Sequence, residues 1–201
     1  GPLQNPLMHL DEAFLATLSV REDAATHAAL LALAEGMQQR FIAPEHGVML
    51  EKPRGAADNW FEPGHQFEWY FLLQSSPLLR TTALHDSLDR AFGFAEQVGV
   101  DPQSGAVCGM LGSDGSLRDG TQRIWAQAEY LRALTLREDG LVRVQRQLQA
   151  LQQHFLHVGG WYECLDAQGQ VSREDMPSTT PYHLATCYSG LAQYFNSGGS
   201  L

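Results

Sequence analysis

Residues 62–73 read EPGHQFEWYFLL, and within them His65 and Glu68 lie three positions apart. Pro and Gly precede the histidine, and aromatic and leucine residues surround the pair, so the stretch predicts the start of a helix. Residues at i and i+3 share a helix face, where a carboxylate can orient an imidazole and raise its pKa. The pair is therefore a candidate for a functional site. A structural histidine at the start of a helix, with an ordinary side-chain partner, is also consistent with this sequence.

Two other predicted helix starts carry a similar arrangement. His9 and Glu12 repeat the spacing in NPLMHLDEA, and His183 follows a proline in TPYHLATCY. A closed ring of repeated helix pairs brings equivalent helix starts to one end of the ring. Histidines at three such positions therefore predict a shared pocket more strongly than three unrelated histidines would.

Apolar residues recur at helical spacing along most of the chain. We predict about seven helices, over residues 6–20, 23–42, 65–76, 77–99, 121–136, 141–158 and 181–195. Asn5 is the expected N-cap of the first helix, with Pro6 at its first helical position. Short β-hairpins are predicted around the Asp114-Gly115 and Gln168-Gly169 turns.

The helices recur in pairs. Every second predicted helix begins near residue 5, 64, 121 or 181, and a period of about 55–60 residues indicates a repeated αα-hairpin architecture. The odd-numbered helices mix His, Trp, Tyr, Gln and Glu with their apolar residues, whereas the even-numbered ones are ordinary amphipathic helices. This difference predicts an inner ring of odd-numbered helices, with a pocket at their starting ends, and an outer ring of even-numbered ones.

Composition limits the class of protein. The chain has 201 residues, 44% of them hydrophobic, which is enough for a single domain over residues 1–201. A formal charge of −10 argues against nucleic acid or an anionic membrane as partner. The longest apolar run, residues 28–34, is too short to span a bilayer. Cys108, Cys164 and Cys187 form no CxxC pair, so we expect no disulfide framework and a cytoplasmic location.

A metal centre is the main chemical alternative for the histidine positions. The possible ligands on the predicted inner helices are His9, Glu12, His65, Glu68 and His183. The sequence has no HExxH motif and no close His-x-His pair, so we expect no metal. Nucleophile-elbow and phosphate-loop motifs are absent as well.

The stretch RIWAQAEYL adds a third predicted inner helix with Trp125, Gln127 and Glu129. For Trp125, the sequence is equally consistent with packing in the core and with a position in the wall of a pocket. A buried hydrogen bond is the plain interpretation of Glu129.

Four stretches together resemble the N-acylglucosamine 2-epimerase family, which includes bacterial mannose and sulfoquinovose isomerases and cellobiose 2-epimerases. They are NPLMHLDEA, EPGHQFEWYFLL, RIWAQAEYLRAL and GGWYECLDAQGQVSREDMPSTTPYHL. The resemblance covers essentially the whole chain and implies an all-α fold, the (α/α)6 barrel. Its implied catalytic residues are His65 and His183, an acid/base pair, and Glu68; its implied sugar-binding residues are Asn5, His9 and Trp125.

The implied activity is proton transfer at C1 and C2 of an aldose through an enediol(ate), of the mannose–fructose type, without a cofactor. The alternatives are N-acylglucosamine or cellobiose 2-epimerisation, or a partial barrel that binds a carbohydrate or a protein without chemistry. Hydrolysis by a related barrel would need two carboxylates across a glycosidic bond, for which Glu68 and Glu129 could be proposed.

The chain departs from the family in length. A complete (α/α)6 barrel has six helix pairs, whereas about seven helices are predicted here. We therefore expect the C-terminal portion of a barrel, without the helices of its earlier half. An open ring would expose the flanks of the first and last inner helices, so we expect a homo-oligomer or completion by the missing N-terminal half.

Overall fold

The computed structural model describes residues 2–138 and 140–197. The α-helices in this part of the chain are α1 Asn5–Val20, α2 Ala24–Phe41, α3 Pro63–Ser75, α4 Ala83–Gly99, α5 Ile124–Leu134, α6 Gly140–His154 and α7 Thr180–Asn196. The predicted number of helices is therefore confirmed. None of the described helices is long and apolar enough to cross a membrane.

The odd-numbered helices form the inner layer. Helix α3 packs between α1 and α5, and α5 packs between α3 and α7. Nearly every residue of α3 and α5 is buried, including the polar ones, because helices surround them on all sides. Helices α2, α4 and α6 pack on the outside through one apolar face each, as their amphipathic sequences predict. The partial ring of helix pairs is thus confirmed.

Short antiparallel strands connect the helices at the end of the ring where the inner helices begin. Strands β1 Trp60–Phe61, β2 Met110–Gly112 and β3 Leu117–Asp119 form one sheet in that order, with Trp60 opposite Gly112. A second sheet has the order β4-β7-β8, and β5 pairs with β6. These strands are β4 Gln122–Arg123, β5 Leu156–His157, β6 Gly160–Trp161, β7 Cys164–Leu165 and β8 Val171–Arg173.

Both predicted hairpin turns are confirmed. Gly115 lies between β2 and β3 with φ +83°, and Gly169 lies between β7 and β8 with φ +79°, a region that favours glycine. The strands extend further than predicted, because β4 takes residues 122–123 from the predicted fifth helix and β5 takes residues 156–157 from the sixth.

Two details of the helix starts were predicted wrongly. Residues 77–99 are not one helix, because a short 3-10 turn at Leu79–Thr81 precedes α4 and the extended Thr82 caps it. Asn5 is the first residue of α1 rather than its N-cap, and Gln4 holds the cap position without a side-chain capping bond. The side chain of Gln4 points into the protein instead, where it is fully buried.

Gly64 allows α3 to approach the start of α5. A Cβ atom at this position would lie 2.6 Å from the indole of Trp125 and 2.8 Å from the methyl group of Ala126. Such distances are below van der Waals contact, so a larger residue must displace the indole or separate the two helices.

We expect Gly64→Ala to lower the free energy of unfolding by about 1–3 kcal/mol, because it overpacks this crossing. Gly93→Ala on α4 is the matched control, since Gly93 is exposed and its Cβ would meet nothing within 4 Å. The control should gain up to about 1 kcal/mol from helix propensity. Urea unfolding of the two variants measures both effects, and equal changes would contradict the close approach.

Candidate functional site

The first turns of α1, α3, α5 and α7 surround a cavity of about 670 Å³. The structure brings all the site residues expected from the sequence to its wall: Asn5, His9, His65, Glu68, Trp125 and His183. Helix periodicity alone places these residues on different elements. Their convergence follows from the ring, since α1, α3, α5 and α7 begin at the same end of it.

His65 is held by a carboxylate that precedes β1. Its Nδ1 lies 2.7 Å from Oε1 of Glu51, and both side chains are buried, with exposures of 9% and 4%. The expected partner was Glu68, three residues along the same helix. That pairing is wrong, because the ring of His65 at the first turn of α3 turns toward the preceding loop, and Glu68 faces His183 instead, at 4.0 Å from its Nδ1.

Glu51 is itself anchored by two buried side chains. The amide nitrogen of Gln4 donates to both carboxylate oxygens of Glu51, at 3.2 and 3.1 Å. The carbonyl oxygen of the same amide accepts from the indole N–H of Trp69 at 2.7 Å. A buried carboxylate keeps its charge at low cost only when donors satisfy it, and these contacts supply them.

The charges around His65 favour its protonated form. Burial of the imidazole opposes a positive charge, but the nearby carboxylates of Glu51, Glu62 and Glu129 outweigh burial and raise the pKa of His65 above its ordinary value. The neutral ring that a general base needs is therefore the main form only above that raised pKa.

His183 is held in the same way by α5. Its Nδ1 lies 2.7 Å from Oε1 of Glu129, whose other oxygen lies 3.3 Å from the guanidinium of Arg132. Glu129 is fully buried. The expected buried hydrogen bond of Glu129 is thus present, and the structure identifies its partner as a histidine of the same cavity.

Trp125 contacts both imidazoles. Its ring centroid lies 4.9 Å from that of His65 and 5.4 Å from that of His183, with interplanar angles of 34° and 37°. The indole thus forms the cavity wall between the two histidines. An apolar wall of this kind also suits the C–H face of a sugar ring.

The histidines of the cavity share one hydrogen-bonding pattern. His65, His183 and His9 each bind a carboxylate through Nδ1, in the last case Glu12 at 2.9 Å. Within the described part of the chain, Nε2 of His65 and of His183 has no hydrogen-bond partner. A carboxylate on Nδ1 favours the tautomer whose Nε2 carries a lone pair, so both rings offer a base to a ligand in the cavity.

Glu68 differs from the carboxylates around it. It is fully buried and neither of its oxygens has a hydrogen-bond partner in the described structure. Burial and the negative charges of Glu129 and Glu12 raise its pKa well above the ordinary value, against a smaller opposite effect of Arg132. Glu129 and Glu12 each have donors, Glu12 from His9 and Tyr182. Glu68 is therefore the carboxyl group of this cluster whose surroundings favour the protonated form.

Three groups of side chains within the described residues are close enough to hold a metal ion: His9, Glu12 and Glu68; Glu51, Glu62 and His65; and Glu68, Glu129 and His183. In two of them the carboxylate already has other donors, Gln4 on Glu51 and Arg132 on Glu129. A guanidinium beside a carboxylate competes electrostatically with a metal cation. Arg132 therefore disfavours a cation at Glu129, and the metal alternative is tested with EDTA.

Sequence reasoning missed Glu51, Gln4 and the role of Trp69. Glu51 lies in a stretch with no helical or strand periodicity, and its contact with His65 spans 14 residues. Gln4 reaches Glu51 across 47 residues. The signal in the sequence was a pair of charged residues, Glu51 and Lys52, directly after the apolar letters VML, which fixes no partner.

Comparison with known sequences gives the family. The model of the N-acylglucosamine 2-epimerase (GlcNAc 2-epimerase) family matches residues 2–187. A mannose-6-phosphate isomerase of Rhizobium meliloti (strain 1021) is 34% identical over 202 residues, which cover 90% of this chain and 52% of that protein. The chain thus spans about half the length of this curated relative.

Solved structures give the same fold. A D-mannose isomerase superposes with a TM-score of 0.74 at 21% identity, covering 95% of this chain and 56% of that one. A cellobiose 2-epimerase from Bacillus thermoamylovorans B4167 superposes with a TM-score of 0.80 at 18% identity, covering 96% and 53%. The helix pairs are therefore part of an (α/α)6 barrel, as expected.

The family match includes every element that lines the cavity, from α1 to the first turns of α7. It also includes the four stretches whose residues resemble the family. The chain belongs to the N-acylglucosamine 2-epimerase family.

Proposed function

We propose that the cavity binds an uncharged aldose and that His65 and His183 move protons at its C1 and C2, as in mannose–fructose isomerisation. One observation carries the proposal: two imidazoles, each held through Nδ1 by a buried carboxylate, lie against the same indole in one cavity. This arrangement presents two nitrogen bases to one small molecule.

The chemistry requires removal of a weakly acidic proton. In the open-chain aldose, the C2–H bond is next to the C1 carbonyl, and a neutral imidazole takes this proton to leave an enediol(ate). Return of a proton to C1, with loss of the O2 proton, gives the 2-ketose. Return of a proton to C2 from the second histidine gives the epimer instead, so the same site can support either outcome.

Glu68 supplies an acid in this scheme. A carboxylic acid kept neutral by burial donates a hydrogen bond to an oxygen on which negative charge develops. The O1 oxygen of the substrate becomes such an oxygen when C2 is deprotonated. Asn5, whose Oδ1 is buried without a partner in the described structure, and His9 provide further polar contacts for hydroxyl groups.

The charges of the cavity favour a sugar without phosphate. Besides the histidines and Glu68, whose pKa is raised, the charged residues on its wall are Arg123, Arg173, Glu62 and Glu163. Arg123 lies 3.8 Å from Glu62, and Arg173 is paired with Asp175 at 2.7 Å. A phosphate dianion is bound by guanidiniums that are not already neutralised. We therefore propose unphosphorylated mannose, although the curated relative is named for a phosphorylated sugar.

Glycoside hydrolysis is less consistent with the geometry. A retaining or inverting hydrolase needs two carboxyl groups on either side of the scissile bond, with one oxygen available for attack or for activating water. Both oxygens of Glu129 are occupied, by His183 and by Arg132. A hydrolase mechanism would also give neither His65 nor His183 a role.

The flank between α1 and α7 bears on activity. A second cavity of about 730 Å³ lies there and shares His9 and His183 with the first. Tyr188 and Val20 on these helices are 74% and 84% exposed. Because the matched relatives are about twice as long, we propose that further helices or a second copy close the ring at this flank.

The first test is proton NMR of D-mannose in D2O, with this chain and with the longest polypeptide that its gene encodes. We expect loss of the C2 proton signal and appearance of fructose, unaffected by EDTA. His65→Ala and His183→Ala should each abolish the exchange with the fold intact. His27→Ala, on the outer face of α2, is the control and should exchange normally. Normal exchange in either site variant would remove that histidine from the mechanism.

A second test concerns the substrate's charge. We expect kcat/KM for D-mannose to exceed that for D-mannose 6-phosphate, because Glu62 and Glu163 line the cavity and its two arginines are paired. Parallel assays at one pH and ionic strength measure the ratio. A preference for the phosphorylated sugar would contradict the proposed substrate class.

A third test concerns Glu68. We expect Glu68→Gln to lower the rate by about 10²-fold or more, which is typical for a lost acid/base group. Infrared difference spectra at neutral pH should show that this variant has lost the C=O band of one protonated carboxylic acid. Glu96→Gln is the control, because Glu96 accepts hydrogen bonds from Tyr130 and Arg143 outside the cavity. An unchanged band and an unchanged rate would reduce Glu68 to a structural residue.

A further inference from the structure

We propose that Trp69 and Gln4, acting through Glu51, are positioning residues that fix which nitrogen of His65 carries the proton. Together they would hold the neutral ring with its hydrogen on Nδ1 and its lone pair on Nε2. The functional meaning of this inference rests on the proposed role of His65 as a base. The inference itself concerns the free protein and can be tested without a substrate.

The order of donors begins at Trp69. An indole N–H can only donate, and Nε1 of Trp69 lies 2.7 Å from the side chain of Gln4. The atom that it contacts must therefore be an acceptor, which in an amide is the carbonyl oxygen. Trp69 is fully buried in the middle of α3, so it has no water as an alternative partner. The orientation of the Gln4 amide is fixed as a result.

The amide then fixes the state of Glu51. With its oxygen on Trp69, Gln4 directs its NH2 group at both oxygens of Glu51, at 3.2 and 3.1 Å. Both oxygens of Glu51 therefore act as acceptors toward this one amide group, as in a carboxylate. The backbone supports the contact, because the N–H of Gln4 donates to the carbonyl oxygen of Glu51 at 3.0 Å.

An ionised Glu51 in turn fixes His65. Its Oε1 lies 2.7 Å from Nδ1 of His65, a distance that requires a hydrogen between the two atoms. The carboxylate has none to give, so Nδ1 must carry it. The nitrogen of Gln4 also lies 3.0 Å from Nδ1 and would donate to it in the other tautomer, but the 2.7 Å contact with the carboxylate is shorter and charge-assisted, so it decides where the proton lies. The remaining nitrogen, Nε2, is then the basic atom of the neutral ring.

A Gln4 amide in the opposite orientation would reverse this sequence of donors and acceptors. If the oxygen of Gln4 faced Glu51, two acceptors would meet in a buried site, and a proton on Glu51 would relieve the repulsion. Nδ1 of His65 could then accept from Glu51, and Nε2 would carry the hydrogen. That tautomer cannot take a proton from C2 of a substrate. The indole N–H of Trp69 is what excludes it.

The charged groups around His65 set the direction of the pH effect. Glu51 lies in the loop before β1, Glu62 at the start of α3 and Glu129 on α5, and all three raise the pKa of the ring. Arg123 lies 3.8 Å from Glu62 and offsets part of its charge. Removal of the charge of Glu51 therefore lowers the pKa of His65. The pH above which His65 is neutral and can act as a base falls as well.

The test combines nitrogen NMR with a pH profile on protein labelled with ¹⁵N-histidine. Long-range proton–nitrogen spectra above the pKa of His65 should show Nδ1–H in the unmodified protein. Trp69→Phe, which keeps an aromatic ring but removes the donor, should populate the Nε2–H tautomer. Trp161→Phe is the control, because it also removes an indole donor, but one that binds Glu163 rather than Gln4. An unchanged His65 tautomer in Trp69→Phe would overturn the proposal.

Glu51→Gln supplies the second measurement, with Glu96→Gln as its control. We expect the rate of C2 proton exchange to fall by about 10²-fold, and the acid limb of its pH profile to move to lower pH. A residue with a merely structural role would lower the rate without moving the limb, and that result would contradict the proposal. If the predicted tautomer is present but no sugar exchanges its proton, the proposed function fails while the network stands.

Discussion

The hydrogen bonds between buried imidazoles and buried carboxylates are the constraint on which the rest of the structure depends. Helix α5 and the first turns of α3 carry His65, Glu68 and Glu129 into the interior of the ring, where an unpaired charge is costly. The Glu51–His65 and Glu129–His183 bonds make that burial possible. Each bond also joins different elements, a loop to α3 and α5 to α7. The polar contacts that define the site thus help to hold the inner helices together.

The two histidines are not equivalent, although their first contacts look alike. The negative charge of Glu129 is partly compensated by the guanidinium of Arg132. In the described structure, Glu51 is bound instead by the neutral amide of Gln4 and by His65 itself. The imidazole of His65 therefore faces the less compensated negative charge. Such a difference suits a reaction in which one ring takes a proton while the other donates one. Glu68 lies close to His183, and neither of its oxygens has a hydrogen-bond partner in the described structure.

Much of the fold could be predicted from the sequence, because helix pairing has a period. Regular apolar spacing gave the number of helices, and the mixture of apolar and polar residues in α3 and α5 distinguished the inner helices from the outer ones. Some errors lie where short strands replace predicted helix ends, as at Gln122–Arg123, and others lie at the starts of α1 and α4. Strand pairs of two residues have too little sequence to show a periodicity of their own.

The site could be predicted only as far as it follows from helix positions. His9, His65 and His183 were identified because they lie at equivalent starts of inner helices, and Glu68 because it lies one turn from His65. The partner of His65 was assigned wrongly, because side chains three residues apart are the only neighbours that a helical sequence reveals. Glu51 and Gln4 reach the histidine from non-periodic segments, and contacts of that kind depend on the tertiary structure alone.

A crystal structure of the protein with D-mannitol, an open-chain analogue of the sugar that cannot react, would test the shared acid/base site most directly. We expect C1 and C2 of the polyol to lie against Trp125, with Nε2 of His65 and Nε2 of His183 both close enough to reach protons at those carbons. Binding with only one imidazole near C1 and C2, or binding elsewhere on the molecule, would contradict a shared acid/base site.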